Sequence, residues 1–221
     1  MEGRFSSLRA VIFDFDGTLA ALNIDFLHMR QVVMDHLDAY RVPTASLKDL
    51  YILEMIDEGQ KIVGNRHPET GLRYLREAKQ LIQEIEIKAA REGGLIEGTR
   101  EMLHELRRRK IKAGVITRNC RAAIEQLFPD IKTAMDIVLT RDHITRVKPD
   151  PEHLRQALQW LQAQPEQAAM IGDHPMDVRL GLDVGAMAIG VLTGSSDRQK
   201  LEAAGAEMIL SKAADIVRHL P

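Results

Sequence analysis

Apolar residues follow one another without interruption in the first stretch of the chain that predicts a strand. The run Val11-Ile12-Phe13 consists of β-branched and aromatic residues, which is typical of a strand buried on both faces of a parallel sheet. Two acidic residues, Asp14 and Asp16, come directly after it, and Gly17 then allows a sharp turn. Residues two apart on an extended backbone project to the same side, so the pattern predicts two neighbouring carboxylates at the end of a buried strand.

A helical pattern replaces the strand pattern over residues 20–94. One amphipathic helix is predicted from Phe26 to Tyr40, a second begins after an N-cap at Ser46, and a third ends before Gly93-Gly94. A connection between parallel strands normally carries one helix, so three helices predict an inserted helical subdomain. The predicted domains are therefore a core of residues 1–19 and 95–221 and an insert of residues 20–94.

Strand and helix patterns alternate after Gly94. The predicted strands are 112–116, 137–139, 168–171, 187–191 and 208–210, and the predicted helices are 99–110 with Thr99 as cap, 119–128, 151–160, 175–184 and a terminal helix. This alternation predicts an α/β fold, a doubly wound parallel sheet of the Rossmann-like kind. Neither Gly-x-Gly-x-x-Gly nor a Walker-type loop is present, so the sequence gives no support for dinucleotide or ATP binding.

Composition narrows the possible partners. The chain of 221 residues has 30 basic and 32 acidic side chains mixed along its length, so no electrostatic surface for nucleic acid is expected. The single cysteine, Cys120, cannot form an internal disulfide and is expected to be structural. The first strand begins within about ten residues of Met1, and no segment reaches the roughly 20 apolar residues that span a bilayer, so we expect no membrane contact and a cytoplasmic protein.

Polar residues also stand where the other strands end. Thr117 follows one strand, Lys148 precedes the helix that starts at Pro151, and Asp173 and Asp177 follow the strand over 168–171. The carboxyl ends of parallel strands meet in one crevice, so these side chains should face Asp14 and Asp16. Four close carboxylates cannot all stay ionised without a cation, and an oxygen-rich site suits Mg²⁺. Together with a lysine and a hydroxyl, such a set suits a phosphoryl group.

The opening stretch has two simpler interpretations. Asp-x-Asp-Gly also occurs in calcium-binding loops, but Ile12 and Asn23 would then occupy positions that need acidic ligands, so this interpretation fails. The segment from Asp14 to Gly17 could also be a turn without chemistry. The polar residues at the other strand ends favour a reaction site.

Four segments in this order resemble the motifs of the haloacid dehalogenase-like (HAD) superfamily. They are Asp14-Phe15-Asp16-Gly17-Thr18, Thr117 after an apolar strand, Val147-Lys148-Pro149-Asp150-Pro151, and Gly172-Asp173 with Asp177. The resemblance covers nearly the whole chain. Within the superfamily, the helical insert looks like the cap of the phosphoglycolate phosphatase-like group.

The resemblance implies a role for each matching residue. Asp14 matches the nucleophile that becomes an aspartyl phosphate, and Asp16 matches the acid/base that protonates the leaving oxygen and later activates water. Mg²⁺ is implied at Asp14, the backbone carbonyl of Asp16 and Asp173, with Asp177 binding it directly or through water. Thr117 and Lys148 match the groups that stabilise phosphate. The implied activity is Mg²⁺-dependent hydrolysis of a small phosphorylated metabolite, phosphoglycolate-like or a sugar phosphate, by a monomer or homodimer.

Some positions depart from the family pattern or stay open. Arg118 stands where a small polar residue is commoner; Arg118 and Asn119 are candidate substrate-binding residues, although a solvated or ion-paired arginine is the simpler interpretation. His174 beside Asp173 has the same two interpretations. The segment containing Arg66 and His67 in the insert could touch substrate or be only a turn. An Ala-Ala-Leu-Asn segment follows Leu19 where an acidic-serine pair is common, which leaves substrate identity open.

Other activities of related chemistry remain possible. A phosphomutase of the β-phosphoglucomutase type shares the first half-reaction. Dehalogenation is disfavoured because those relatives lack the aspartate at the position of Asp16, and phosphonate hydrolysis needs a cap lysine that the sequence does not identify. An Asp-phosphorylated regulatory or binding protein is the alternative from another class, but such receivers have no helical cap.

Overall fold

The structure is a computed structural model that describes residues 2–220, with the side chains of residues 4–220. The described chain folds as two compact units. One comprises the residues up to Leu22 together with those from Glu92 onward, and the other comprises Asn23–Arg91.

The first unit is built on a six-stranded sheet in which every neighbouring pair of strands runs parallel. Its strands are β1 (Ala10–Phe13), β4 (Lys112–Ile116), β5 (Ile137–Leu139), β6 (Ala168–Gly172), β7 (Met187–Val191) and β8 (Met208–Leu210). The spatial order is β5-β4-β1-β6-β7-β8, so the chain extends the sheet from β1 first in one direction and then in the other. The α/β doubly wound fold predicted from the sequence is confirmed, and the strand bounds agree within one residue.

The central strand β1 is buried on both faces. Val11 and Phe13 pack into the apolar cluster on one face of the sheet, whereas Ala10 and Ile12 pack into the cluster on the other. All four side chains are 0% exposed. This double burial is the physical reason for a continuous rather than alternating apolar run.

A small ribbon joins the two points where the chain leaves and re-enters the first unit. Its strands, β2 (Ala20–Ala21) and β3 (Gly94–Leu95), pair antiparallel, and the sequence predicted neither. Because this ribbon belongs to the first unit, the second unit covers residues 23–91 rather than the predicted 20–94. Strands of two residues carry too little pattern to be recognised in a sequence.

Helices precede, connect and follow the strands of the first unit. They are α1 (Glu2–Ser6), α5 (Thr99–Arg108), α6 (Arg121–Leu127), α7 (Ile131–Ala134), α8 (Glu152–Leu161), α9 (Pro175–Val184) and α10 (Arg198–Ala203), with short 3₁₀ helices at Pro165–Gln167 and Ala213–His219. The predicted cap at Thr99 is wrong: Gly98 is the N-cap, with φ of 88°, and the Thr99 hydroxyl donates to the Leu19 carbonyl at 3.1 Å. The predicted terminal helix is present as a 3₁₀ helix, in which buried Ala213 and Ile216 lie three residues apart, one turn of such a helix.

The second unit consists of three helices, α2 (Phe26–Ala39), α3 (Ile52–Arg66) and α4 (Pro68–Glu92), of which α4 ends in the first unit. Their apolar faces share a buried cluster that includes Met29, Val33, Leu37, Met55, Tyr74 and Ile82. The predicted start of the second helix after Ser46 is wrong, because α3 begins at Ile52. Residues 45–49, before α3, form turns instead. The guanidinium of Arg30 stabilises them by donating to the carbonyls of Lys48 at 2.8 Å and Leu50 at 2.7 Å. Among residues 2–220, no helix combines the length and the apolar character needed to cross a bilayer.

Candidate active site at the carboxyl end of the sheet

The end of β1 places Asp14 at the edge of the sheet. The Asp14 amide donates to the Ile171 carbonyl at 2.8 Å, which continues the pairing of β1 with β6 by one residue. The Asp14 side chain is nearly buried, and its Oδ1 accepts a hydrogen bond from the Phe15 amide at 2.6 Å. Gly17 closes the following turn with φ of +75°, and a Cβ there would lie 2.8 Å from the Asp173 Cγ. Both its conformation and its surroundings therefore require glycine.

Lys148 joins two carboxylates inside the first unit. Its Nζ lies 2.6 Å from Asp14 Oδ1 and 2.7 Å from Asp177 Oδ1, and the lysine is only 3% exposed. Burial alone would lower the pKa of Lys148, but Asp14 and Asp177 outweigh it and raise that pKa above its ordinary value. Lys148 is therefore a permanent cation at this site.

The third carboxylate, Asp173, follows β6 and is fixed by a loop that the sequence analysis did not single out. The Ser195 amide and hydroxyl both donate to Asp173 Oδ2, at 2.7 and 3.1 Å. In the same loop, the Thr193 hydroxyl donates to the Gly17 carbonyl at 2.7 Å. The available signal was the polar run Thr-Gly-Ser-Ser shortly after β7, a further strand end.

Asp177 is oriented by the first turn of α9. Its Oδ2 accepts from the His174 amide at 3.2 Å, while the His174 Nδ1 accepts from the Met176 amide at 3.1 Å. His174 thereby caps the helix, which accounts for a histidine beside Asp173 without a substrate contact. With Oδ2 engaged in the cap, Asp177 presents Oδ1 to Lys148.

Carboxylate oxygens of Asp14, Asp173 and Asp177 all lie within 4.8 Å of one another. Burial is the main cause that raises the pKa of Asp14, against the opposing effect of Lys148, and the other three aspartates raise it further. Burial, followed by the charge of Asp177, likewise raises the pKa of Asp173, although hydrogen bonds from Ser195 act in the opposite direction. Three carboxylates against one ammonium leave two negative charges in excess, so the donor set fits a divalent metal ion with oxygen ligands.

Asp16 lies apart from this group. The Asn119 side-chain amide donates to its Oδ1 at 3.1 Å and its Oδ2 at 3.2 Å, and the Thr117 hydroxyl reaches Oδ2 at 3.5 Å. The Asn119 Oδ1 accepts from the Cys120 amide at 2.7 Å, which fixes the orientation of the amide group. The structure thus brings Thr117 and Asn119 to Asp16, and no pattern in the sequence indicated the contact of Asn119.

The remaining candidate residues have other partners. Arg118 donates through Nη1 to the Lys148 carbonyl. Arg66, in the helical unit, is exposed and donates to the Arg41 carbonyl at 3.2 Å, and exposed His67 is the C-cap of α3. Contact of Arg118, Asn119, Arg66 or His67 with a substrate stays a prediction. A separate cavity of about 170 Å³ lies beside α6, α7 and β5 and shares no residue with the carboxylate cluster.

Comparison with known proteins agrees with this architecture. A pyrophosphatase PpaX of Bacillus cereus is 28% identical, with 95% of each chain covered. The crystal structure of a hydrolase from Pseudomonas syringae has a TM-score of 0.65 at 22% identity, covering 96% of this chain and 97% of that one. The structure of a Haemophilus somnus protein named a predicted phosphoglycolate phosphatase has a TM-score of 0.66 at 16% identity, covering 96% and 98%. At these identities the two structures show a shared fold.

The family itself is shown by a match along most of the chain. The model that describes haloacid dehalogenase-like hydrolases matches residues 11–191, a range that contains all four motifs on which the resemblance was based. The prediction of this superfamily from the sequence is confirmed. The chain belongs to the haloacid dehalogenase-like hydrolase family and is therefore a hydrolytic enzyme.

Proposed function

We propose that this enzyme is a Mg²⁺-dependent phosphatase that hydrolyses a small phosphomonoester through an aspartyl phosphate on Asp14. The observation that carries the proposal is the position of Lys148 Nζ between Asp14 and Asp177, with Asp173 in the same cluster. A phosphoryl group spreads negative charge over its oxygens during transfer, so catalysis depends on fixed cations and on alignment.

Asp14 acts as the nucleophile. The Phe15 amide and the Lys148 ammonium both contact Oδ1, so they fix the carboxylate plane and stabilise its ionised form. A bond forms between an Asp14 carboxylate oxygen and phosphorus while the bond from phosphorus to the leaving oxygen breaks. Water then attacks the phosphoryl group, which releases inorganic phosphate and restores the carboxylate.

Asp16 acts as the acid/base. It stands two residues after Asp14, and hydrogen bonds from the Asn119 amide to both of its oxygens orient its carboxylate. In the first step it gives a proton to the leaving oxygen, and in the second it accepts one from the attacking water. Thr117 lies beside Asp16 and supplies a hydroxyl for a phosphoryl oxygen.

Asp14, Asp173 and Asp177 are the side chains that would bind Mg²⁺, together with the backbone carbonyl of Asp16 that the family resemblance implies. The ion would neutralise negative charge on the cluster and on the phosphoryl oxygens. The two excess negative charges among the described side chains support this assignment.

The substrate is proposed to be a small phosphorylated metabolite, phosphoglycolate-like or a sugar phosphate. Inorganic pyrophosphate is the second candidate, because relatives that match 95% of this chain are named pyrophosphatases. We also propose that the helical unit of residues 23–91 is the cap subdomain that the resemblance implies. The cytoplasmic location and the monomeric or homodimeric state stay predictions from the sequence.

A screen of phosphorylated metabolites and pyrophosphate tests the proposal. With Mg²⁺ present, phosphate should be released from at least one of them, and a chelator should abolish the release. Asp14→Asn keeps the size of the side chain but removes the nucleophile, so turnover should fall by several orders of magnitude. Rapid quench of the wild type with labelled substrate should place the label on Asp14. Full activity in chelator, or label on another residue, would contradict the mechanism.

The same screen distinguishes the alternatives. A phosphomutase would convert a sugar phosphate to its isomer with little free phosphate. An Asp-phosphorylated regulator would take up label once and release it slowly, without turnover.

A further inference from the structure

We propose that His153 and Arg118 are positioning residues that fix the backbone of Lys148 relative to Thr117. They do so by closing a ring of hydrogen bonds between the end of β4 and the loop that carries Lys148. This inference rests on the proposed function to the extent that it assigns catalytic importance to Lys148.

The ring runs through five residues from three segments of the chain. The Lys148 amide donates to His153 Nδ1 at 3.0 Å, and His153 Nε2 lies 3.1 Å from the Leu139 carbonyl. That same carbonyl accepts the Thr117 amide at 3.0 Å. Arg118, covalently next to Thr117, closes the ring by donating through Nη1 to the Lys148 carbonyl.

The partners of His153 determine its tautomer. A backbone amide can only donate, so Nδ1 must be without a proton; a carbonyl can only accept, so Nε2 must carry one. His153 is 0% exposed, and burial, with the nearby charge of Lys148, lowers its pKa to about 3. The imidazole therefore stays neutral throughout the physiological pH range, with Nδ1 as acceptor and Nε2 as donor.

Lys148 needs such support because of where it lies in the chain. It stands in the irregular segment between β5 and α8, outside any strand or helix whose backbone ladder would fix it. Both of its backbone polar groups are instead bound by side chains, the amide by His153 and the carbonyl by Arg118. The ammonium reaches two carboxylates at 2.6 and 2.7 Å, and a shift of the backbone would lengthen these contacts and misalign the charge.

The first test replaces the members of the ring and measures kcat with a fluorogenic aryl phosphate in Mg²⁺. His153→Leu removes both contacts and should lower kcat by about 10- to 100-fold. His153→Asn returns an acceptor at the position of Nδ1 and should recover kcat to within about threefold of wild type. Arg118→Met should also lower kcat, whereas Arg118→Lys should lower it less.

Matched controls come from the same unit. His143 is an exposed histidine whose Nδ1 also accepts a backbone amide, that of Thr140 at 3.2 Å, and Arg107 is an exposed arginine that donates to the Thr133 carbonyl at 2.6 Å. His143→Leu and Arg107→Met should leave kcat unchanged. A decrease in these controls as large as in His153→Leu and Arg118→Met would overturn the inference.

A double-mutant cycle separates positioning from a general structural effect. If His153 acts through the Lys148 ammonium, His153→Leu should lower kcat by the full factor of about 10 to 100 in the wild type. In a Lys148→Met background, the same substitution should leave kcat almost unchanged. Equal costs in both backgrounds would overturn the inference. Should the double variant fail to fold, the recovery by His153→Asn decides the question, because a failure to recover would also contradict the ring.

A measurement on the wild type is independent of activity. With ¹⁵N-labelled protein, the His153 ring should show an unprotonated Nδ1 and a protonated Nε2 from about pH 5.5 to 8.5. A proton on Nδ1, or titration of His153 in this range, would disprove the ring itself. An inactive wild type would refute the proposed function. If the wild type is active and His153→Leu and Arg118→Met have the same kcat as the wild type, this inference alone is refuted.

Discussion

Replacing Lys148 with methionine tests the charge balance of the site most directly. The substitution keeps an unbranched side chain that is one atom shorter, and it removes the ammonium that contacts Asp14 at 2.6 Å and Asp177 at 2.7 Å. Asp14, Asp177 and Lys148 are each less than a tenth exposed. The two carboxylates would therefore remain in a poorly solvated place without their counter-charge.

The expected cost follows from this burial. Removing one partner of a buried ion pair typically costs about 3–5 kcal/mol of unfolding free energy. For a protein of this size, each kcal/mol corresponds to about 2–4 °C in Tm, so the metal-free variant should unfold about 6–20 °C below the wild type at pH 8.

The loss should shrink in acid. Burial, despite the opposing effect of Lys148, already raises the pKa of Asp14, and removal of the ammonium raises it further. When the pKa of a carboxyl is higher in the folded state than its unfolded value of 3.8, the protein becomes less stable as pH rises from 3.8 through the folded-state pKa. The variant should therefore be closer to the wild type at pH 5 than at pH 8.

Thermal unfolding in chelator at pH 5 and pH 8 provides the assay. Lys200→Met is a matched control, because Lys200 pairs with Asp197 at 3.9 Å while both side chains are more than 60% exposed. Its Tm should change by less than about 3 °C. If Lys148→Met changed Tm no more than Lys200→Met at pH 8, the view that the ammonium balances buried carboxylates would be wrong.

Three further predictions concern the other carboxylates. Asp16→Asn should lower turnover of alkyl phosphates more than that of aryl phosphates, whose leaving oxygens need no proton; equal losses in a leaving-group series would contradict the acid role. Ser195→Ala removes the hydroxyl contact to Asp173 but keeps the amide contact, so the apparent Kd for Mg²⁺ should rise about tenfold, while kcat at saturating Mg²⁺ should change less than threefold. Burial raises the pKa of both Asp14 and Asp173, so protons should compete with metal: Mg²⁺ should raise Tm more at pH 8 than at pH 5, and the reverse order in calorimetric scans would refute this coupling.

The elements that the sequence predicted well are those with a strong local pattern. The five strands after Gly94 were predicted to within one residue because each is a short apolar run between helical patterns. The placement of Asp14, Asp173 and Lys148 in one cluster followed from a general property of parallel sheets, whose strand ends meet at one edge.

Contacts that depend on tertiary approach could not be predicted in this way. Ser195 reaches Asp173 across 22 positions of sequence, and Asn119 reaches Asp16 across 103. His153 lies on the first turn of α8, where a buried histidine gives the same local pattern as an apolar core residue. In each case the partner is decided by how the strand-end loops pack, and residue types alone do not determine that packing.

The contacts of Asp14 and Asp16 bear on the separate roles proposed for these two carboxylates. Lys148 favours the ionised form of Asp14, and a bound metal ion would favour it further, whereas burial and the neighbouring aspartates favour the protonated form. The Asn119 amide contacts both oxygens of Asp16, and it can still donate to one of them while the other carries a proton. The lysine contact thus supports the proposed role of Asp14 as nucleophile, and the amide contact is compatible with the proposed role of Asp16 in proton transfer.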